Sequence, residues 1–420
     1  MRLHRYARRT LEKRCGRCYS RQEQHVSRLI ATTCIAWARL PGNTNKEYAL
    51  RLMYDLIVIG GGPAGSSAAI TAAQAGVKVL LLERGRYPRH KVCGEFVSAE
   101  SLGLLSELLG NRGKASLTDA VPISHARVFL DDRTLESPIN PPAGSIARYD
   151  LDAALWRAAI ENGVEGHLQT SAQKINGIGP FSVSTANGAF ESLAVINAAG
   201  RWSNLTAPAK ENGAIREKWV GLKGHFSETA AAQSVDLYFF PGGYCGVQPV
   251  NLLGPENEES QGGRINLCAM VRADTASTLL DVFWLHPQLR ERSRDWQPLS
   301  DPVTTAPLFF RPPRPAEQNV LMVGDSAGFV DPFVGDGISL ALRSGALAAK
   351  SLAPCFSEKI SVARAADVYR KSYEQTLLPV FRASSTIRKL LALPRFLRGP
   401  LISLLQSSPR FTRYLVQRTR

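Results

Sequence analysis

Residues 54–65 read YDLIVIGGGPAG, and this stretch decides the fold. Its first half, Tyr54–Ile59, is a short apolar run rich in branched side chains, which is typical of a buried parallel strand. The small residues of Ser66–Ala75 then suit a helix, and a second apolar run, Val77–Leu82, ends in Glu83. The pattern predicts a strand–helix–strand unit with a G-x-G-x-x-G turn after the first strand.

The glycines of this turn have spacings that suit a dinucleotide. Gly60 permits the tight turn, Gly62 leaves room for a pyrophosphate, and Gly65 lets the helix approach the strand. The start of the helix offers free N–H groups to an anion. Glu83 can accept hydrogen bonds from ribose hydroxyls and would repel a 2′-phosphate. The turn therefore predicts a dinucleotide with an unphosphorylated adenosine ribose, and it leaves NAD and FAD open.

A second glycine-rich region favours FAD. The apolar run Asn319–Val323 predicts a strand, and Asp325 follows it at the edge where a carboxylate could bind a polyol hydroxyl or cap the turn. Gly335 and Gly337 then precede a predicted helix at Ser339–Lys350. The start of that helix could face an anion that develops on the ligand. A reduced flavin carries such an anion and a nicotinamide does not.

These motifs together resemble the group A FAD-dependent oxidoreductases, which include aromatic-ring hydroxylases, geranylgeranyl reductases and flavin-dependent halogenases. The resemblance covers most of residues 53–350. Within the group, the segment KVCGE at 91–95 is most similar to the geranylgeranyl reductase branch. The segments that carry the resemblance are GGGPAG at 60–65, Glu83, PRHKVCGE at 88–95, Arg148 with Asp152 and Leu155, Ala198–Gly200, GDSAG at 324–328, and DPFVGDGI at 331–338.

The resemblance implies a cofactor contact for each matched residue. The implied contacts are Ala64, Glu83 and Ala199 for the adenosine half; Arg148 for the pyrophosphate region; Asp325 for the ribityl chain or the pyrophosphate edge; Cys93 and Gly94 for the loop beside the flavin; and Gly337 and Ile338 for the pyrimidine end of the isoalloxazine.

Two family segments are absent or altered in this chain. The Trp-x-Trp-x-Ile-Pro segment of the halogenases is missing. The geranylgeranyl reductases carry a Tyr-x-Trp-x-Phe-Pro segment, and residues 243–249 here read GYCGVQP, with Gly246 and Gln248 in place of the tryptophan and the phenylalanine. The substrate pocket is therefore expected to differ from that of geranylgeranyl reductases.

The expected activity is that of an FAD-dependent oxidoreductase acting on an apolar small molecule. Monooxygenation and reduction of a double bond both remain open, and so does a regulatory or structural protein that holds FAD without turnover. Only one G-x-G-x-x-G follows a strand, so the expected electron donor, NADPH or NADH, must bind without a Rossmann domain of its own.

No catalytic residue is assigned from the sequence. His90 and His225 are the histidines worth testing as proton donors, and Cys93 is expected to be a packing residue because it has no obvious redox partner. Aromatic residues in the predicted strands could line a substrate channel or fill the core: Phe239, Phe240, Tyr244, Phe309 and Phe310.

The predicted fold is α/β, with a Rossmann-type, glutathione reductase-like FAD-binding domain, an interposed β-rich substrate domain and C-terminal helices. Thr275–Arg292 is predicted to be one amphipathic helix, and Asn187-Gly188 predicts a hairpin. The expected domains are 53–125, 145–220 and 305–355 for FAD; 126–144 and 221–304 for the substrate; 356–420 for the C-terminal helices; and 1–52 for a basic, dispensable extension.

The net charge of +15 comes from the two ends of the chain. Residues 1–52 carry +9, residues 375–420 carry another +9, and the part between them carries −3. This distribution argues against a nucleic-acid-binding body. The basic, leucine-rich C-terminal region could lie on an anionic membrane, although helices packed over the substrate domain are the favoured interpretation. No apolar run is long enough to cross a bilayer, and no metal site is expected. The expected location is the cytoplasm, with association to a membrane left open.

Overall fold

The computed structural model describes residues 53–113, 119–201, 203–206, 218–251, 263–308, 310, 312–329, 331–391 and 393–400. The contacts divide the chain into two units, Met1–Met53 and Tyr54–Arg420. All elements below belong to the second unit. The predictions for residues 1–52, Phe309 and residues 401–420 concern parts of the chain outside the described residues.

The strands of the described residues form two sheets. In chain order they are β1 (Tyr54–Ile59), β2 (Val79–Leu82), β3 (Phe96–Val97), β4 (Val121–Leu130), β5 (Arg133–Ser145), β6 (Glu165–His167), β7 (Ala172–Gly177), β8 (Phe181–Thr185), β9 (Gly188–Asn197), β10 (Trp219–Glu228), β11 (Ser234–Phe240), β12 (Gly243–Pro249), β13 (Gly263–Arg272), β14 (Gln297–Pro298), β15 (Val303–Leu308), β16 (Ala316–Glu317) and β17 (Val320–Met322).

Helices cover the faces and ends of these sheets. They are α1 (Pro63–Gln74), α2 (Ala99–Gly113), α3 (Arg148–Glu161), α4 (Leu279–Trp284), α5 (Pro287–Arg292), α6 (Gly337–Phe356), α7 (Val362–Thr376) and α8 (Leu378–Leu391). No helix of the described residues combines the length and the apolarity needed to cross a membrane.

The first sheet is mainly parallel and is built around β1. Its order is β16-β17-β9-β1-β2-β6, and β7 and β8 extend it beside β9. Strand β1 pairs in parallel with β2 and with β9. Leu56 and Val58 face one apolar cluster while Ile57 and Ile59 face another. Burial on both faces explains why Leu56–Ile59 of β1 is an unbroken apolar run.

The second sheet is mainly antiparallel. Its order is β14-β10-β13-β12-β11-β4-β5-β3, and β15 also pairs with β10. Phe226, Phe283 and Trp296 pack on one another against this sheet. The two sheets confirm the predicted α/β class with a β-rich part, and the hairpin between β8 and β9 confirms the one predicted at Asn187-Gly188.

The single helix predicted for Thr275–Arg292 is wrong. The chain forms two short helices, α4 and α5, instead. Thr278 and Asp281 make a reciprocal capping box, with Asp281 N–H donating to Thr278 Oγ1 at 3.2 Å, so α4 begins only at Leu279. Pro287 has no N–H to continue α4 and begins α5. The predicted strand at Asn319–Val323 is also shorter, because Asn319 has a φ of 65° and lies in the turn before β17.

Candidate active site

The turn after β1 leaves an open space above the start of α1. Gly60 has a φ of 104°, and a Cβ there would overlap the backbone of Ala198. Gly62 is the N-cap of α1, and no side chain caps its N–H groups. A Cβ added to Gly62 would meet only Arg148 Nη2, at 4.0 Å. The first turn of α1 and the Arg148 guanidinium therefore border the same space.

The Arg148 guanidinium beside the glycine turn stays positively charged. Its Nε and Nη2 donate to the two carboxylate oxygens of Asp152 at 2.6 and 2.7 Å. Burial alone would lower the pKa of Arg148, but Asp152, together with Cys93, raises it well above its usual value. A charged guanidinium beside the uncapped start of α1 is a site that suits phosphate.

Glu83 connects the end of β2 to the glycine turn. Its Oε2 accepts from Gly61 N–H at 2.9 Å, and its Oε1 accepts from Gly85 N–H at 2.7 Å and from Arg89 Nη1 at 2.9 Å. Burial alone would raise the pKa of Glu83, but Arg89 and the two N–H groups lower it below its usual value. The carboxylate is thus ionised, as the predicted ribose contact requires. Nothing in the sequence pattern had singled out Arg89.

The predicted residues of the second glycine-rich region lie against the first. Gly345 of α6 packs so closely on α1 that an added Cβ would overlap the carbonyl oxygen of Ala64. Gly65 packs as closely on Gly60. Gly200 N–H, next to Ala199, donates to Ser326 Oγ at 2.7 Å. Residues far apart in the chain therefore share one edge of the parallel sheet.

Asp325 lies at this edge and is partly exposed. Its carboxylate is 3.2 Å from Arg201 Nη2. Asp325 lies within the short turn formed by Gly324–Ser326, whose N-cap is Val323. Both roles predicted for Asp325, a polyol contact and a cap of the turn that follows it, stay predictions.

The start of α6 is the second opening at this edge. No side chain caps its first N–H groups, and a Cβ on Gly337 would meet nothing within 4 Å. Ile338 packs its side chain into the core, so only its backbone borders the opening. Asp336 is buried just before Gly337, and this burial raises the pKa of its carboxyl to about 6.

The loop with Cys93 and Gly94 is held from the second sheet. Asn266 Nδ2 donates to the carbonyl oxygens of Cys93 and Gly94, at 3.2 and 2.9 Å. Four residues after Gly94, Ser98 Oγ is 2.8 Å from Ser339 Oγ of α6. The loop therefore lies between the second sheet and the start of α6.

Glu95 follows this loop and is completely buried. It makes an ion pair with Lys223, and its Oε2 is 2.9 Å from His225 Nε2. Its Oε1 also accepts from Arg148 N–H at 2.8 Å. His225 in turn lies 5.3 Å, ring to ring, from His90. The sequence had indicated the two histidines but neither Glu95 nor Lys223 as their partners.

Cys93 has a neighbouring cysteine that the sequence could not reveal. Burial raises the pKa of Cys268 to about 12, and the charge of Cys93 contributes to this shift. Cys268 is therefore a protonated thiol at neutral pH, and the described cysteines are free. The nearby Cys268 removes the ground on which Cys93 was expected to be a packing residue, and that role stays a prediction.

An aromatic cluster lies between the second sheet and the loop that leads to α6. Tyr244 is 5.6 Å, ring to ring, from Phe239 and 5.9 Å from Phe333, while Phe310 stacks on Phe329 at 5.6 Å. Phe240 packs in a different cluster, with the core of the second sheet. Of the described aromatic residues predicted to line a channel, Phe239, Tyr244 and Phe310 are thus together, and Phe240 is a core residue.

These features fit an FAD molecule. Two uncapped helix starts border open space, one beside Arg148 and one beside Gly337. Positive helix ends and a buried guanidinium suit a pyrophosphate at one opening and a negatively charged ring system at the other. The ionised Glu83 lies at the end of β2, beside the first opening.

Comparisons with known proteins give three kinds of match. The family described as FAD dependent oxidoreductase matches residues 55–90. Digeranylgeranylglycerophospholipid reductase 2 of Methanopyrus kandleri is 27% identical over 359 residues, covering 80% of this chain and 86% of that protein. Menaquinone reductase of Mycolicibacterium smegmatis is 24% identical over 387 residues, covering 83% and 87%.

Solved structures also match. The flavin-dependent brominase Bmp2 superposes with a TM-score of 0.71 at 18% identity, covering 87% of this chain and 93% of that one. A geranylgeranyl bacteriochlorophyll reductase-like protein from Thermoplasma acidophilum has a TM-score of 0.67 at 20% identity, covering 87% and 95%. At these identities the two structures are similar in fold alone.

Proposed function

Because the chain is an FAD-dependent oxidoreductase, as its resemblance predicted and the matches confirm, we propose that it reduces a carbon–carbon double bond in an apolar molecule. The relatives named above are reductases of a polyprenyl phospholipid and of menaquinone. A molecule with an isoprenoid chain is therefore the substrate class we propose for this chain.

The observation that carries this proposal is the aromatic cluster around Tyr244. Tyr244 and Phe329 are buried and the other rings are partly buried, and through Phe333 the cluster adjoins the loop that leads to the open start of α6. An isoprenoid chain would bury its apolar surface against such rings. Close packing of the rings would also keep water from the reacting carbons.

We assign the cofactor contacts as follows. FAD, when bound, accepts and donates hydride. Arg148 and the uncapped N–H groups at the start of α1 hold the pyrophosphate, and Gly60, Gly62 and Gly65 give the turn the close approach it needs. The remaining proposed contacts are Ala64, Glu83 and Ala199 for the adenosine half, Asp325 for the ribityl chain, Cys93 and Gly94 beside the flavin, and Gly337 and Ile338 at its pyrimidine end.

The electron donor we propose is NADPH or NADH. Among the described strands, only β1 leads through a G-x-G-x-x-G turn into a helix. The nicotinamide donor would therefore bind transiently at the open side of the flavin rather than in a second Rossmann domain.

Anaerobic turnover tests the proposed reaction. The holoenzyme would be mixed, without oxygen, with NADPH or NADH and either menaquinone or a digeranylgeranyl lipid, and the product analysed by mass spectrometry. We expect a mass gain of two hydrogens per reduced double bond. Turnover that requires oxygen and adds an oxygen atom would indicate a monooxygenase. Absence of bleaching by either donor would favour a protein that holds FAD without turnover.

We further propose peripheral contact with a membrane surface through the C-terminal helices. Phe396 and Leu397 are 75% and 48% exposed, and Leu390 is 41% exposed. Exposed apolar side chains within a basic segment suit an anionic lipid surface. Co-sedimentation with anionic and neutral liposomes tests this, and we expect Phe396→Ser to weaken the anionic binding. Equal recovery of wild type and variant with both liposome types would contradict it.

A further inference from the structure

We propose that Asp331 is the proton donor of the reduction, with Tyr244 and Arg388 positioning its carboxyl group. This inference rests on the proposed function, because a double bond that accepts hydride on one carbon needs a proton on the other.

Asp331 is buried inside the aromatic cluster, and its neighbours come from three parts of the fold. Tyr244 of β12 donates its hydroxyl to Asp331 Oδ1 at 3.3 Å. The N–H of Phe333 donates to the same oxygen at 3.3 Å. Arg388 of α8 brings its Nε to 3.8 Å from the other oxygen, Oδ2. One oxygen thus receives two hydrogen bonds, and the other faces a partly exposed guanidinium.

The surroundings of Asp331 suit a carboxylic acid that gives up a proton and takes it back. Burial raises the pKa of this carboxyl to about 6, although Phe333 N–H, Arg388 and Tyr244 each lower it somewhat. The charged and titratable side chains that face it are Tyr244 from β12 and Arg388 from α8. Burial and the nearby Asp331 raise the pKa of Tyr244 well above its usual value, so the phenol stays protonated and can only donate to the carboxylate.

Arg388 reaches this place by lying across the aromatic cluster. Its guanidinium carbon is 4.1 Å from the centre of the Phe310 ring. The contact holds the long side chain in one direction, toward Asp331. The C-terminal helix α8 therefore contributes a charge to a site that is otherwise built by β12 and the loop before α6.

The proposed step balances in atoms and electrons. One carbon of the double bond would receive a hydride, two electrons and one proton, from reduced FAD held at the two openings. Asp331 supplies the second proton to the other carbon, so the π bond is replaced by two C–H bonds. The Asp331 carboxylate that remains is stabilised by Tyr244, Phe333 N–H and Arg388, and it regains a proton from solvent. The nicotinamide donor restores the reduced cofactor.

The pH dependence follows from the same arrangement. Only the protonated carboxyl can donate, so the oxidative half-reaction should slow as the pH rises through about 6. The reductive half-reaction, in which NADPH or NADH bleaches the flavin, needs no proton from Asp331 and should not share this profile.

An infrared pH titration of the oxidised holoenzyme tests the acid without any substrate. Subtracting the spectra of Asp331→Asn from those of the wild type removes contributions from other buried acids such as Asp336. We expect a protonated-carboxyl band that disappears as the pH is raised from 5 to 7, because the pKa of Asp331 is about 6. A difference spectrum without such a band would mean that Asp331 is always ionised, and it would overturn the proposal.

Stopped-flow kinetics then separate the two half-reactions. The probes are menaquinone and a digeranylgeranyl lipid, added anaerobically to the reduced holoenzyme. We expect Asp331→Asn to slow reoxidation by about 100-fold or more and to leave bleaching by NADPH within about twofold. The exposed Asp301 supplies a matched control, Asp301→Asn, which should leave both steps unchanged. Wild-type-like reoxidation of Asp331→Asn would refute the assignment.

Variants of Arg388 test its positioning role. Arg388→Gln removes a charge that stabilises the carboxylate, so the pKa of Asp331 and the pH profile of reoxidation should both move upward. Arg388→Lys should restore most of the profile. A change in rate with no change in the profile would show that Arg388 acts only through packing.

The results distinguish this proposal from the proposed function. If neither probe reoxidises the wild type, the proposed substrate class fails, and the infrared titration still decides whether Asp331 is a neutral acid. If the probes are reduced by Asp331→Asn as fast as by the wild type, the reductase proposal stands and the proton-donor assignment fails.

Discussion

Glu95 shows how one residue can join the second sheet to the start of α3. Its φ of 61° lies in the left-handed region, which costs a residue with a side chain about 1 kcal/mol or more. The conformation turns the carboxylate inward, where Lys223, His225 and Arg148 N–H meet it. Burial alone would raise the pKa of Glu95, but Lys223 and His225 lower it to about 2. The carboxylate is therefore ionised over the whole physiological pH range.

Replacing only Lys223 of the buried Glu95–Lys223 pair should destabilise the protein more than replacing both residues. We expect Lys223→Met to lower the free energy of unfolding by about 3–5 kcal/mol, because it leaves the Glu95 charge without its main partner. The double variant Glu95→Gln with Lys223→Met should lose less than Lys223→Met alone. Urea unfolding of the apoprotein at pH 7 measures both.

The control for this experiment is Lys350→Met, since Lys350 is exposed on α6 and should tolerate the change. If the double variant lost as much stability as Lys223→Met alone, the unpaired Glu95 charge would not be the source of the effect.

Single residues were predictable from the sequence only where a local pattern singled them out. The glycines of the first turn and Glu83 have fixed spacings within one strand–helix–strand unit. Lys223 forms an ion pair with Glu95, 128 positions away, and no local spacing in the sequence indicates such a pair. Asp331 belongs to a family motif in the sequence. Its contacts with Tyr244 and Arg388 could not be foreseen, because they too join positions that are far apart in the chain.

At the scale of elements, α6 packs closely on α1. Ser67 Oγ donates to the Leu342 carbonyl at 2.7 Å, and Gly345, which follows Leu342 on α6, has no room for a side chain because Ala64 lies against it. The two helices are the ones whose starts form the two openings of the site. Their separation therefore fixes the distance between the openings.

Enlarging Gly345 should disturb both stability and cofactor binding. We expect Gly345→Ala to lower the free energy of unfolding by about 1–3 kcal/mol through overpacking, and to weaken FAD binding by forcing the helices apart. Urea unfolding and fluorescence titration of the apoprotein with FAD measure the two effects.

Gly103 of α2 offers the matched control, because a Cβ there would meet nothing within 4 Å. Gly103→Ala should stabilise the protein slightly, by up to about 1 kcal/mol, through its better helix propensity. Unchanged FAD affinity in Gly345→Ala would contradict the link between this packing and the site.

Elements with strong local patterns were predicted well and others were not. β1, α1 and α6 follow from an apolar run, a glycine turn and a helical period. The helix predicted for Thr275–Arg292 failed because its apolar period continues across Leu285 and His286, while the capping box and Pro287 interrupt the backbone. Capping residues and prolines thus outweighed periodicity there.

At the scale of the whole molecule, the basic C-terminal segment is held by acidic residues. Arg395 and Arg398 make ion pairs with Asp131, and Arg395 also pairs with Asp132, in the turn between β4 and β5. This contact agrees with the favoured interpretation, in which the C-terminal helices pack over the second sheet. The excess charge that the sequence showed at this end is therefore partly neutralised within the protein.

Removing residues 1–52 should leave the rest of the molecule intact. The contacts divide the chain at Met53, and the strands that surround the site begin at Tyr54. We expect a protein of residues 53–420 to match the full chain in FAD affinity and in melting temperature, measured by fluorescence titration and calorimetry. Loss of FAD binding would show that the first 52 residues contribute to the fold. The domain boundaries proposed from the sequence remain predictions that limited proteolysis of this shorter protein could refine.

The packing of α6 on α1 also governs when the protein can be completed during its synthesis. Ser67 and the Leu342 carbonyl that it binds are separated by 275 positions in the chain. A growing polypeptide on the ribosome has therefore made the whole second sheet before α1 meets its partner. Until α6 is synthesised, the face of α1 in the first βαβ unit that packs on α6 stays uncovered. FAD can therefore bind at both openings only late in translation.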